Sequence, residues 1–184
     1  MRQKKNIHII DFFVDIFNTR TCIYVLKEVA MFIGLDEKLC KEHAALLNKL
    51  LANEYVLYTK TLKFHWNVKG KWFGPLHQLF QAQYEQLFAI IDTVAEQIPM
   101  LGHVSAGSLE EFAKLKTIDE APIKVENDTE MIKLLLSGHE EVINQMRSML
   151  KIISESNNYA LENVLQDILS KHEKTAWMLR SHLE

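Results

Sequence analysis

Glycine and proline are scarce in this 184-residue chain, at six and three, and only two cysteines are present. So few turn formers exclude a strand-rich or low-complexity protein and favour long helices. Cys22 and Cys40 form no CxxC pair and no Cys/His cluster, which excludes a disulfide framework and a thiolate zinc site and fits a reducing compartment. The formal net charge of -3 offers no general basic surface for coating nucleic acid, so any such binding needs a local patch. Long apolar runs are also missing. "CIYVLKEVAMFIGL" carries Lys27 and Glu28 at its middle and is too short to span a bilayer. "MRQKKNIHIIDFFVDIF" starts basic, but Asp11 and Asp15 interrupt its apolar stretch and no small-residue cleavage site follows. The expectation is a cytoplasmic protein with no membrane partner.

With 48% hydrophobic residues the chain is long enough for one domain with a sizeable core. Residues 1–34 are rich in aromatic and β-branched side chains without a sustained period and read as an N-terminal extension; residues 35–184 read as a helical bundle. Asp36 is a candidate N-cap, and Leu39, Leu46, Leu50, Val56, Leu57 and Leu62 recur at helical spacing up to Trp66. "NVKGKWFG" breaks that helix. Pro75 sits where a second helix starts, and Phe80, Tyr84, Leu87, Ile91, Val94 and Ile98 form its seam up to Gly102. Ser108 and Glu111 have capping-box spacing, so a short helix is expected within the connection. A third long helix starts near Asn127 and runs through Met131, Leu135, Val142, Met146, Met149 and Ile153. A fourth follows "SESNN" from Tyr159 to His182. The seven methionines are expected to fill the core. The fold class is therefore all-α, a four-helix bundle whose longest connection joins helices two and three.

His65 and His77 flank the one break between the first two helices, and Asp92 and Glu96 lie one turn apart further along the second. Imidazole and carboxylate together suit a divalent first-row metal such as iron, manganese or zinc. At 1.5 Å rise per residue, His77 and Asp92 stand roughly 22 Å apart on one helix, too far to share an ion. The carboxylates then serve a separate site, or a second copy of the helix runs antiparallel alongside. A two-fold axis near Glu85 would bring His77 of one copy to Asp92 and Glu96 of the other, making two equivalent sites. Taken one at a time these residues have plainer readings: a hydrogen-bonded structural histidine, a solvated acidic face, and packing for Trp66 and Trp72.

The combination resembles the Dps family, the ferritin-like DNA-binding proteins from starved cells. "HWNVKGKWFGPLHQLFQAQYEQLFAIIDTVAEQI" has the family's spacing of His, His twelve residues on, Asp fifteen further and Glu four beyond, matched by His65, His77, Asp92 and Glu96. The likeness runs from about Ile33 to the end and includes "HEKTAWMLRSHL". It implies a ferritin-like bundle assembled as a hollow dodecamer. Ferroxidase centres between two-fold-related subunits would oxidise Fe(II) with hydrogen peroxide and store Fe(III) inside. Iron is then the bound metal, with His65, His77, Asp92 and Glu96 as its ligands. Trp66 becomes a candidate interceptor of stray oxidising equivalents, with packing as the equal alternative.

Two departures from the family pattern stand out. Gln81 occupies a position that is often acidic, one turn after His77, which implies a second iron position that is weaker or occupied through water. The basic Arg2, Lys4 and Lys5 lead into an apolar stretch rather than a Lys/Arg-rich tail, which puts DNA binding in doubt. Glu140 and Glu141 are candidates for iron-uptake pores without a motif to assign them. The rival functions are DNA compaction with a secondary metal site and a purely structural helical oligomer.

Overall fold

The structure is a computed structural model that describes residues 33–184. The expected N-terminal extension, with Cys22 and the basic Arg2, Lys4 and Lys5, therefore lies outside the described residues save for its last two positions. Five helices follow: α1 Glu37–Asn67, α2 Phe73–Met100, α3 Leu109–Leu115, α4 Asp128–Ser154 and α5 Tyr159–Ser181. Among the described residues there is no strand, and no helix is long and apolar enough to cross a membrane.

Local chemistry sets the boundaries. The Asp36 carboxylate accepts from Leu39 N at 2.9 Å, and Asn127 caps α4 through Glu130 N at 2.9 Å. Ser108 and Glu111 form the reciprocal capping box that makes seven residues of α3 a helix. α2 starts two residues before Pro75, which still falls in the first turn where a missing N–H costs nothing. Gly102, at φ +79°, ends α2 in the left-handed conformation that glycine tolerates best.

Tertiary contacts fix the helix directions. Asn53 donates to Gln145 at 2.7 Å, while Leu57 and Lys60 lie against Gly138, so α1 and α4 run antiparallel. His43 meets Asn158 and Glu54 meets His172, so α1 and α5 run parallel. The five-residue turn after α1 makes α2 antiparallel to it, leaving α2 and α4 parallel. Residues 101–127 are the crossover that this arrangement demands. Asn53 also holds that connection by accepting from Thr117 N at 2.7 Å, and Asn48 does so by accepting from Ala106 N at 2.7 Å. At the α1–α4 crossing a Cβ on Gly138 would sit 2.9 Å from the buried Leu57 Cδ1, so the helix approach itself selects glycine.

The apolar registers read from sequence face the core. Leu50, Val56 and Leu57 of α1, Phe80, Leu87, Val94 and Ile98 of α2, and all six predicted residues of α4 are buried. The methionines divide. Met131, Met146 and Met149 fill the core, but Met100 is 60% and Met178 38% exposed, which corrects their assignment as core filling. Trp66 and Trp72 are likewise surface side chains of this chain, not core.

Candidate metal centre

The α1–α2 turn brings His65, in the last turn of α1, against His77, the fifth residue of α2. The two rings stack with centroids 3.8 Å apart and planes 22° from parallel. Each is tied to the other's backbone: His65 Nδ1 donates to the His77 carbonyl and His77 Nδ1 to the His65 carbonyl, both at 2.9 Å. A carbonyl only accepts, so both Nδ1 atoms carry a hydrogen in this arrangement. The His65 carbonyl lies among the last four of α1, which have no partner within their own helix, and the His77 ring satisfies it. The consequence is chemical. With Nδ1 committed, each neutral ring keeps its lone pair on Nε2, the form in which imidazole binds a metal. Phe73 stacks on the far side of His77 at 5.0 Å and Tyr84 meets His65 edge-on at 5.1 Å, which fixes both ring planes.

Asp92 and Glu96 are exposed on later turns of the same α2. Among the described residues neither takes part in an ion pair. No group of three or more His, Cys, Asp or Glu among the described residues is arranged to hold a metal ion. One chain thus brings the two histidines together and leaves the two carboxylates apart from them, as helix rise requires. Gln81 does not stand free: its Nε2 donates to Glu85 Oε1 at 2.8 Å. Glu140 is partnered too, accepting from Arg180 at 2.7 Å, and Glu141 accepts from Ser137.

A second polar group, unmarked by the motif, lies at the bundle centre. Glu54 of α1, His139 of α4 and His172 of α5 are each at most 1% exposed. His172 Nε2 lies 3.0 Å from Glu54 Oε1, close but without hydrogen-bond geometry. On the other edge of the ring, His172 Nδ1 and His139 Nδ1 share a hydrogen bond of 2.9 Å. One edge of His172 faces Glu54 and the other His139, and Glu54 Oε2 and His139 Nε2 are buried without a hydrogen-bond partner among the described residues. Burial, and then the neighbouring His172 and Lys60, hold the His139 imidazole well below the usual histidine range. Lys60 is itself pushed down by burial, against the opposing pull of Glu141 and Asp119. The sequence did carry a signal for this group. Glu54 falls between Leu50 and Leu57, His139 between Leu135 and Val142, and His172 four residues after Ile168, all polar side chains in apolar registers.

The ferritin-like domain family matches residues 44–184. Among curated proteins, a DNA protection during starvation protein of Bacillus anthracis is 32% identical over 143 residues, covering 78% of this chain and 97% of that one. The chain belongs to the Dps family. A low temperature-induced protein of Nostoc sp. is 37% identical over 153 residues, 83% of this chain and 86% of that one. Among solved structures, the Dps protein of Vibrio cholerae O1 superposes with a TM-score of 0.80 at 31% identity, covering 84% and 96% of the two chains. It is described as a member of a broad superfamily of ferritin-like diiron-carboxylate proteins. DpsC of Streptomyces coelicolor gives a TM-score of 0.82 at 28% identity, covering 84% and 91%. The resemblance read in the motif is thus a family membership, and the all-α ferritin-like fold class holds.

Proposed function

We propose that this Dps-family protein is a ferroxidase: it oxidises Fe(II) with hydrogen peroxide and stores Fe(III) inside a hollow dodecamer in the cytoplasm, limiting oxidative damage. The observation that carries the reading is the reciprocal His65/His77 lock, which commits each Nδ1 to a carbonyl and leaves each Nε2 lone pair uncommitted. Asp92 and Glu96 of a two-fold-related copy complete the ligand set, since the chain's own carboxylates are a helix length away. Iron is the substrate and carries the redox chemistry. The protein's part is to bind and orient it. His65 and His77 offer neutral nitrogen donors on rings held by backbone carbonyls, while Asp92 and Glu96 supply negative charge that favours Fe(III) over Fe(II).

The test is anaerobic loading with Fe(II) followed by peroxide. Growth of Fe(III) absorbance with peroxide consumed and no trapped hydroxyl radical supports the reading; protein that leaves Fe(II) unoxidised refutes it. DNA compaction is the rival, favoured by the names of relatives such as the Bacillus anthracis protein. A gel shift at low salt that fades steeply as salt rises would support it, and no shift at low salt removes it.

A further inference from the structure

His65 and His77 are not an isolated pair of rings. On the α2 side, Tyr84 meets His65 edge-on at 5.1 Å. Tyr84 in turn meets Tyr58 of α1 at 6.4 Å, nearly perpendicular, and Tyr58 meets Tyr55 at 6.1 Å. Three tyrosines therefore lead away from the histidine pair in an unbroken series of ring contacts. Among the described residues every branch of this series ends on a phenylalanine. Phe73 stacks on His77 at 5.0 Å, Phe88 lies 6.2 Å from Tyr58, and Phe112 stacks on Tyr55 at 4.5 Å. Tyrosine is among the most readily oxidised side chains and phenylalanine is not. An oxidising equivalent leaving the histidine pair has a path through tyrosine and a stop at each exit. Packing alone asks for no such distribution, because Phe and Tyr bury similar ring area.

A second observation supplies the need. Peroxide takes two electrons to become two waters, whereas one Fe(II) gives one. Gln81, where the family pattern often has an acid, is neutral and its amide donates to Glu85 at 2.8 Å, so that position offers no carboxylate for a second iron. We propose that Tyr84 supplies the second electron and that Tyr58 and Tyr55 share the resulting radical. This rests on the iron-oxidising function proposed above. In the first step the O–O bond breaks; Fe(II) and Tyr84 each give one electron, and two protons from water complete two water molecules. Tyr84 releases its phenol proton to water at its half-exposed edge and becomes a neutral tyrosyl radical. In the second step another Fe(II) reduces that radical, a proton returns to the phenol oxygen, and a second Fe(III) is formed. Two Fe(II) are consumed per peroxide, one after the other, without a hydroxyl radical.

The experiment is rapid freeze-quench EPR on the assembled protein given one Fe(II) per site and excess peroxide. Wild type should show a transient tyrosyl signal that a further equivalent of Fe(II) extinguishes. Tyr84→Phe keeps the ring against His65 and should lose the signal, while spin-trapped hydroxyl radical rises several-fold. Tyr58→Phe should keep the signal, but a nitroso spin trap followed by peptide mapping should then mark Tyr84 and no longer Tyr55. Iron oxidation in wild type without a tyrosyl signal, an undiminished signal in Tyr84→Phe, or a radical mapped only to Trp66 overturns the relay and leaves the ferroxidase standing. Wild type that fails to oxidise iron at all overturns both.

Discussion

Two histidine pairs in this molecule have opposite fates. At the α1–α2 turn, His65 and His77 spend their Nδ1 atoms on backbone carbonyls and keep Nε2 available. At the bundle centre, His139 and His172 bond to each other through Nδ1, and the remaining edge of His172 faces Glu54. The residue types are the same, but the first pair lies at a helix end, where backbone carbonyls, that of His65 an orphan of the last turn of α1, orient the rings and leave each Nε2 free of them. The second lies among helix interiors, where only side chains are at hand as partners, and it leaves Glu54 Oε2 and His139 Nε2 without one among the described residues. In the function proposed above the first pair accepts a ligand from outside the chain, whereas the second is enclosed within it.

Removing a partner from the closed group should have the largest effect on stability. Glu54→Ala leaves the buried Nε2 edge of His172 facing a void in place of a carboxylate and should cost about 3 kcal/mol in chemical denaturation. Asp92→Ala, at an exposed position, should change stability by no more than about 0.5 kcal/mol. Equal losses from the two substitutions would erase the distinction between a structural and a functional carboxylate.

Acid separates the pairs in a second way. Burial keeps the His139 imidazole neutral when folded, whereas in the unfolded chain it titrates near 6.5. Above that pH neither state holds the proton and His139 adds nothing to the slope. Below it only the unfolded state takes the proton, so stability falls by about 1.4 kcal/mol per pH unit until the folded imidazole also titrates. Denaturation midpoints of wild type and His139→Gln between pH 7 and pH 5 should show a shallower decline in the variant. Identical slopes would mean that His139 is protonated in the fold.

The open pair can be sharpened as well as broken. Gln81→Glu restores a carboxylate one turn after His77 and should strengthen binding of a second Fe(II), raising the iron bound per site in anaerobic equilibrium titration by up to twofold. The same substitution should lower the tyrosyl signal, because a second iron then supplies the electron that Tyr84 otherwise gives. An unchanged binding ratio would show that Gln81 does not limit the site.

Much of this architecture is legible in the sequence because it is written in local codes. The caps at Asp36, Ser108 and Asn127 announce helix starts within a few residues of themselves, and every residue of the apolar register read for α4 is buried, though Ile132, Gly138 and His139 share that face. The His65/His77 spacing is legible for the same reason, since both flank one short turn. What stayed hidden is non-local. Glu54 and His172 are 118 positions apart, and nothing near either one states that the other will face it. Their polarity at core positions is visible, but their partners are chosen by helix packing. Met100 and Met178 show the converse, apolar residues that the bundle of one chain leaves at its surface.

The shared centre is tested most directly by complementation between two inactive proteins. In one, His65 and His77 are replaced by alanine; in the other, Asp92 and Glu96 are. Each alone should oxidise Fe(II) at least about 10- to 100-fold more slowly than wild type. Co-assembled at random, about half of the two-fold interfaces are mixed, and each mixed interface has one complete site and one with no ligands, so roughly a quarter of wild-type activity should return. If a single chain supplied all four ligands, every chain in the mixture would remain defective. Verified hybrids with no recovered oxidation would contradict the shared site.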